Sequence, residues 1–330
     1  MPSTNSVPIL SSYIFEPFLG VARGIGVPME RWLRTAGLPV ELDYEGGAYL
    51  PEIPCWRFLQ EVARTEGLDT YGLLAGSAAE HPELPCLAPH LRQCTTLKGQ
   101  LIHFCKVAPL VSNVVAYRLE VRGETVWLSN QGRRLLDSDV HAQLFQVLGM
   151  IQLVQRATGP KWRPAEIHFT FPEIGRVADA PELNPSKIRF SRPYPAVSLP
   201  RALLAKRVLP PEFADGSAGL PPVTLNEQLS DVLLPYIGNG DIRKEAAAEI
   251  VGLSSRTLQR YLNREMTSYQ EVLDRARLRK ATRMLEETDA KFIEIALSLG
   301  YEEAASFTRA FRRWTGVTPR EYRKALVTES

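Results

Sequence analysis

The sequence predicts two successive folds: an α+β N-terminal domain, then an all-α C-terminal domain with two helix-turn-helix motifs joined by a long helix. Three observations carry this. Residues 1 to about 205 alternate stretches of helical period with stretches of strand period. Residues 209 to 222 are rich in Pro and Gly and have no periodicity, as a connecting segment requires. Beyond them only the helical period remains, and it returns twice on one plan. The boundaries expected are 1–205, a linker at 206–223, and 224–326.

In the first domain, Glu30-Arg31-Trp32-Leu33 opens a short helix closed by Gly37, and Trp56, Leu59, Val62 and Ala63 mark an amphipathic helix closed by Gly67. A hairpin is expected where residues 114–121 meet residues 125–130 through Arg122-Gly123-Glu124. A helix over about 138–157 carries Leu144, Val147, Leu148 and Ile151 on one face, and residues 165–171 and 187–190 read as further strands.

The second domain is more explicit. Ala247, Ile250 and Val251 form a short apolar face, Gly252 makes a turn, and Ser254 is placed to cap a second helix whose Leu258, Tyr261 and Leu262 face inward. This first motif covers about 244–264. The second, about 292–315, repeats it. Phe292, Ile295, Ala296 and Leu299 support, Gly300 turns, and Phe307, Ala310, Phe311 and Trp314 face inward. The glycines are 300 − 252 = 48 residues apart, and after the turn the second copy carries one extra residue. Between the motifs a connecting helix is expected over about 267–287, opened by a capping box of Thr267 and Gln270; a last helix opens at Thr318-Pro319 with Glu321.

Once the apolar positions are buried, Arg256, Gln259, Arg260 and Asn263 form the opposite stripe, polar, long-armed and without a carboxylate. Such a face suits the major groove, where Arg pairs with guanine and Gln with adenine. The plain alternative is a solvated helix face. Arg312, Arg313, Arg320 and Arg323 have two readings of equal weight, contact with phosphate or solubility and capping of the last helices. Phe307, Phe311 and Trp314 have the spacing of a buried stripe.

The segments Gly300-Tyr301, FTRAFRRW at 307–314, Gly316 and TPREYR at 318–323 resemble the AraC/XylS family of bacterial transcription regulators, whose DNA-binding unit is two helix-turn-helix motifs on one long helix. The order GVPMERWLRTAGLP, CTTLKGQL, EIHFTFPEI resembles the N-terminal effector-binding or dimerisation region, arabinose-binding-like, of one branch of that family. The resemblance implies a DNA-contacting set of Ser254, Ser255, Arg256, Gln259, Arg260, Ala304, Ala305, Thr308, Arg309, Arg312 and Arg313. Ala304 and Ala305 are small, which suits thymine methyls or shape reading, so the first motif is expected to discriminate more between sequences. It also implies double-stranded DNA as partner, a small-molecule effector, a homodimer and, for an activator, RNA polymerase.

The 330 residues suffice for two cores, and a net charge of +2 says little about nucleic acid. Residues 221–330 hold 17 Lys and Arg against 16 Asp and Glu, so clustering of the cations would have to attract phosphates. No export signal, membrane span, cofactor motif or catalytic motif is read, and a cytoplasmic protein that is not an enzyme is expected. Cys55, Cys86, Cys94 and Cys105 form no CxxC pair, which favours free thiols. Two alternatives keep the DNA-binding tail and change the rest: a DNA-targeted repair enzyme, or a redox or metal sensor using Cys86, His90 and Cys94, although Pro89 interrupts a helix there.

Overall fold

The structure, a computed structural model, describes residues 7–40, 48–78, 87, 91, 94–133, 140–208, 224–238 and 242–329. They divide into two compact units, in the main Pro8–Pro221 and Pro222–Ser330. The Pro/Gly-rich stretch at 209–223 lies outside the described residues, as do Cys86 and His90.

The first unit is α+β. A short antiparallel pair, β1 (Ile9–Ser11) with β2 (Tyr49–Pro51), leads into helices on either side of it: α1 (Ser12–Gly24), α2 (Met29–Ala36), α3 (Glu52–Glu66) and α4 (Tyr71–Ala78). Gly37 and Gly67 close α2 and α3 at φ 78° and 67°, the left-handed conformation expected of a C-terminal glycine. Phe15, Phe18, Trp56, Phe58, Leu59 and Tyr71 fill the core of this half.

The rest of the unit sets α5 (Leu97–Val107) and α6 (Val140–Thr158) with a five-stranded sheet of order β3 (Tyr117–Arg122), β4 (Thr125–Asn130), β7 (Ala196–Pro200), β5 (Glu166–His168), β6 (Lys187–Arg189). Only β5 and β6 run parallel. In register, Val126 lies opposite Leu199 and Leu128 opposite Val197, and these residues share a core with Leu144, Val147, Leu148 and Ile151 of α6. The hairpin turn is shorter than expected, because Arg122 pairs with Thr125 and only Gly123-Glu124 is left to turn. Its first strand begins at Tyr117 and not Val114: Val114 and Val115 are buried in the turn before it.

The second unit is helical: α7 (Leu225–Leu233), α8 (Lys244–Ile250), α9 (Ser255–Arg264), α10 (Tyr269–Glu287), α11 (Phe292–Ser298), α12 (Ala304–Thr315) and α13 (Pro319–Glu329). The start of α10 differs from expectation. Ser268 is the N-cap and Glu271 its partner, Ser268 N–H donating to Glu271 at 2.8 Å and Glu271 N–H to Ser268 Oγ at 3.2 Å. Thr267 instead gives its hydroxyl to the same carboxylate. A capping carboxylate must stand three residues after the cap; Gln270 does so for Thr267, but only Glu271 accepts charge-assisted bonds. Among the described residues no helix is long and apolar enough to cross a membrane.

Two outcomes follow for the first unit. A Cβ on Gly72 of α4 would stand 2.0 Å from the His141 carbonyl oxygen on α6, so Gly72→Ala should cost about 1–3 kcal/mol in urea unfolding. Burial pushes His141 down to about 4, against the weaker opposing pull of Asp69. The native state therefore stays neutral where the unfolded chain, at its ordinary value near 6.5, takes a proton. Stability of this unit should be full above pH ~6.5, fall as pH drops toward 4, and fall less steeply in His141→Gln.

Candidate nucleic-acid interface

The two helix pairs of the second unit share their turns hydrogen bond for hydrogen bond. After α8, Gly252 at φ 67° donates to Glu249 O at 3.0 Å, and Leu253 donates to Ala248 O at 2.8 Å. After α11, Gly300 at φ 83° donates to Leu297 O at 3.0 Å, and Tyr301 to Ala296 O at 2.9 Å. Each bond recurs 48 residues on. The glycine supplies the left-handed residue that lets the backbone reverse and use its last carbonyls.

Beyond the turn the offset becomes 49. Leu258, Tyr261 and Leu262 of α9 are 0%, 8% and 0% exposed, and Phe307, Ala310 and Phe311 of α12 are 0%, 6% and 0%. Matching inward positions leave matching outward positions. Ser255, Arg256, Gln259, Arg260 and Asn263 occupy the places that Ala304, Ala305, Thr308, Arg309 and Arg312 occupy in the second pair.

The first outward face is dense in cations. Ser254 caps α9, accepting from Thr257 N–H at 3.2 Å, which leaves Ser255 at the first helical position. Arg256 and Arg260 are exposed, and with Lys244, Arg264, Gln259 and Asn263 they line an open concavity without an acid. Lys244 Nζ donates to Gln259 Oε1 at 3.0 Å, and Gln259 Nε2 to Asn263 Oδ1 at 2.8 Å, so the amide is held upright on the helix. Arg260 lies against the Tyr261 ring at 5.5 Å.

The second face is smoother. Ala304 is half-buried and Ala305 exposed, Thr308 gives its hydroxyl to Ala304 O at 2.8 Å, and Arg309 bonds Ser306 Oγ at 3.1 Å. Arg312 is exposed. Arg313 is engaged, its guanidinium 2.8 Å from Asp274 of α10. Arg323 is engaged too, donating to Ala290 O at 2.8 Å and lying 5.0 Å from the Phe292 ring. Their long-range partners could not be read from local spacing; the Asp274–Arg313 pair spans 39 residues.

The separation of the faces is set by α10. Its 19 residues span roughly 28 Å at 1.5 Å each. Val272 and Leu273 are buried near one end, while Ala276, Ala281 and Leu285 join Ile295, Ala296, Phe307 and Phe311 in one core. Tyr269 Oη donates to Ile242 O at 2.7 Å, Lys280 Nζ to Ile237 O at 2.7 Å, and Tyr322 Oη to Glu286 at 2.7 Å.

Two family models match the chain. A helix-turn-helix domain matches residues 247–325, and the N-terminal arabinose-binding domain of AraC transcription regulators matches residues 26–208, more than half of the sequence. The chain belongs to the AraC family of transcription regulators. It is a DNA-binding regulator by that membership. The regulator VirS of Mycobacterium tuberculosis is 25% identical over 93% of this chain and 94% of its own. The ornithine utilization regulator of Pseudomonas aeruginosa is 46% identical over 81 residues, a match confined to 24% of either chain. The crystal structure of CdpR from Pseudomonas aeruginosa is 20% identical over 90% of this chain and 96% of its own, with a TM-score of 0.37.

Of the described cysteines, Cys55 is buried and Cys94 and Cys105 half-buried; burial pushes the Cys105 thiol up to about 11 and raises the Cys55 thiol as well, an unreactive setting. Among the described residues no group of His, Cys, Asp or Glu is placed to hold a metal ion.

Gly300 offers a clean test of the turn. A Cβ there meets nothing within 4 Å, so Gly300→Ala should cost only the left-handed strain, about 1–2 kcal/mol, seen as an earlier urea transition of the helical unit alone.

Proposed function

We propose that both helix pairs act as helix-turn-helix motifs, that α9 and α12 enter successive major grooves on one face of a duplex, and that the chain is an effector-responsive activator. The observation that carries this reading is the paired outward faces, held by matching turns on one rigid helix. Two reading helices on one face of B-DNA must stand about one turn apart, roughly 34 Å, and α10 supplies a spacer of that order.

In this reading Arg256 and Arg260 take guanine edges and Gln259 an adenine, with Ser254 and Ser255 and the α9 N-terminus against the backbone. Ala304 and Ala305 allow close approach to thymine methyls, Thr308 and Arg309 complete the second half-site, and Arg312 meets phosphate. Arg313 contributes through position, since Asp274 anchors it and with it α12; loss of that pair upon binding would free it for phosphate. The N-terminal unit takes the small-molecule effector and pairs two subunits, and effector binding shifts the affinity for the operator. Activation brings RNA polymerase as a further partner, in the cytoplasm. The VirS match along the length of both chains supports a regulator in preference to a repair enzyme.

The test begins with selection of bound sites from randomised duplexes, followed by footprinting. A protected tract spanning two successive major grooves is expected; protection of a single groove would refute the two-helix reading. Arg260→Ala should relax discrimination at one base pair by about 1–3 kcal/mol, while Arg309→Ala should relax it less. Equal relaxation by both would contradict the asymmetry between the two faces.

A further inference from the structure

The first unit holds a cavity among β1, α1, α3, α5, β3 and α6, with apolar walls that include Leu10, Trp56, Phe104, Val111, Phe145 and Met150. A second lobe shares Glu52, Trp56, Val115 and Gln146 with it and reaches Asn130, Gly132 and exposed Tyr194. Each lobe holds about 70 Å³. Glu52 belongs to the scaffold. It accepts from Trp56 Nε1 and Ser112 Oγ, both at 3.0 Å, and has further interactions within the fold, so it does not set the ligand.

Two neutral donors of the lining have no hydrogen-bond partner among the described residues. The first is the side-chain nitrogen of Gln146 on α6, and its orientation follows from a relay. Asn130 Oδ1 accepts from the N–H groups of Ala116 at 2.9 Å and Gly132 at 3.0 Å. A backbone N–H bonds only an acceptor, so that atom is the oxygen, and Asn130 Nδ2 faces Gln146 and donates to its Oε1 at 3.1 Å. This leaves Gln146 Nε2, with two hydrogens to give, on a residue that borders both lobes. The second donor is the hydroxyl of Tyr117 on β3, whose ring packs 4.7 Å from that of Phe104. Burial, with Cys105 and Glu52 nearby, pushes this phenol above its ordinary range, so it keeps its proton. Gly149, one turn beyond Gln146, lines the first lobe as well. Glycine there weakens a helix relative to alanine, yet a Cβ would meet nothing within 4 Å, so space lies open beside the donor.

We propose that this cavity binds a small neutral carbonyl compound, its oxygen taking the hydrogen bonds that Gln146 and Tyr117 offer and its hydrocarbon body lying against the apolar walls. The inference deepens the effector reading given above and rests on it only for the regulatory consequence. Donors left unmade in a buried site favour whatever brings them an acceptor. Water at each donor would leave the apolar walls wet, whereas an oxygen on a hydrocarbon body serves both. An ammonium brings donors to donors. An anion would be buried without a counter-charge, since no Lys, Arg or His is among the described residues lining the first lobe. Size sets the limit: an apolar cavity of roughly 150 Å³ takes benzene, so the two lobes suit a body of about six or seven heavy atoms and not a long chain.

The experiment is calorimetric titration of the full chain with cyclohexanone, with methylenecyclohexane, in which a CH2 group replaces the oxygen, and with cyclohexylamine and cyclohexanecarboxylate. The ketone is expected to bind at least about fivefold tighter than the hydrocarbon, and both ions more weakly than the ketone. Water expels the hydrocarbon more strongly than the ketone, so apolar walls alone would give the opposite order. Tyr117→Phe should lower the ketone affinity while leaving that of methylenecyclohexane, which reports an intact cavity. Gln146→Glu keeps an oxygen for Asn130 and puts an acceptor where the donor stood, and should remove the advantage of the ketone. Equal or tighter binding of the hydrocarbon, tighter binding of either ion, no binding of the ketone, or a ketone advantage unchanged in both variants overturns the assignment. The comparison of ketone with hydrocarbon in the unaltered chain needs no variant to fold. Operator affinity measured with and without cyclohexanone is a separate readout; a ketone that binds but leaves it unchanged upholds the site and refutes its role as the effector site.

Discussion

The helical unit depends on the apolar stripe of α10. Helices as short as α8 and α11, with seven residues each, are unstable alone in water and bury too little to hold a turn in place. In the second pair Ala276, Ala281 and Leu285 of α10 complete the core with Ile295, Ala296, Phe307 and Phe311, and at the other end of α10 Val272 and Leu273 are buried while Tyr269 Oη bonds the Ile242 carbonyl that leads into α8. The same helix therefore stabilises both outward faces and fixes their spacing. A change in α10 that loosened either core would shift the geometry of both.

The cations of this unit fall into two populations. Arg279 pairs with Asp231, Lys280 with the Ile237 carbonyl, Arg313 with Asp274 and Arg323 with the Ala290 carbonyl; these hold helices together. Arg256, Arg260, Arg309 and Arg312 face outward. The near balance of 17 basic and 16 acidic residues over 221–330 thus hides an uneven placement, with some acids engaged in pairs such as Asp231 and Asp274 and in caps such as Glu271 and Glu321. The field that matters to a phosphate backbone comes from this sorting.

The first unit shows the reverse economy of space. Its two cores are filled with large side chains, yet between them α6 presents a glycine and α3 a carboxylate to an unfilled volume.

By itself the sequence determined the elements that near neighbours specify: Gly37, Gly67, Gly252 and Gly300 as stops, Ser254 and Thr318 as caps, the faces of α6, α9 and α12, and the alternation of the β3–β4 hairpin. Those depend on period and on backbone chemistry within a few residues. It placed the cap of α10 one residue early, at Thr267 with Gln270 in place of Ser268 with Glu271, and it missed β1, β2 and β7, strands of three to five residues whose partners are distant in the chain. Only the tertiary structure decided which arginines are free, because Asp274 reaches Arg313 across 39 residues, and which residues enclose the cavity, because Ser112 reaches Glu52 across 60. Local patterns carry no record of such pairings, since a side chain's charge and volume acquire their meaning from whatever the fold brings against them.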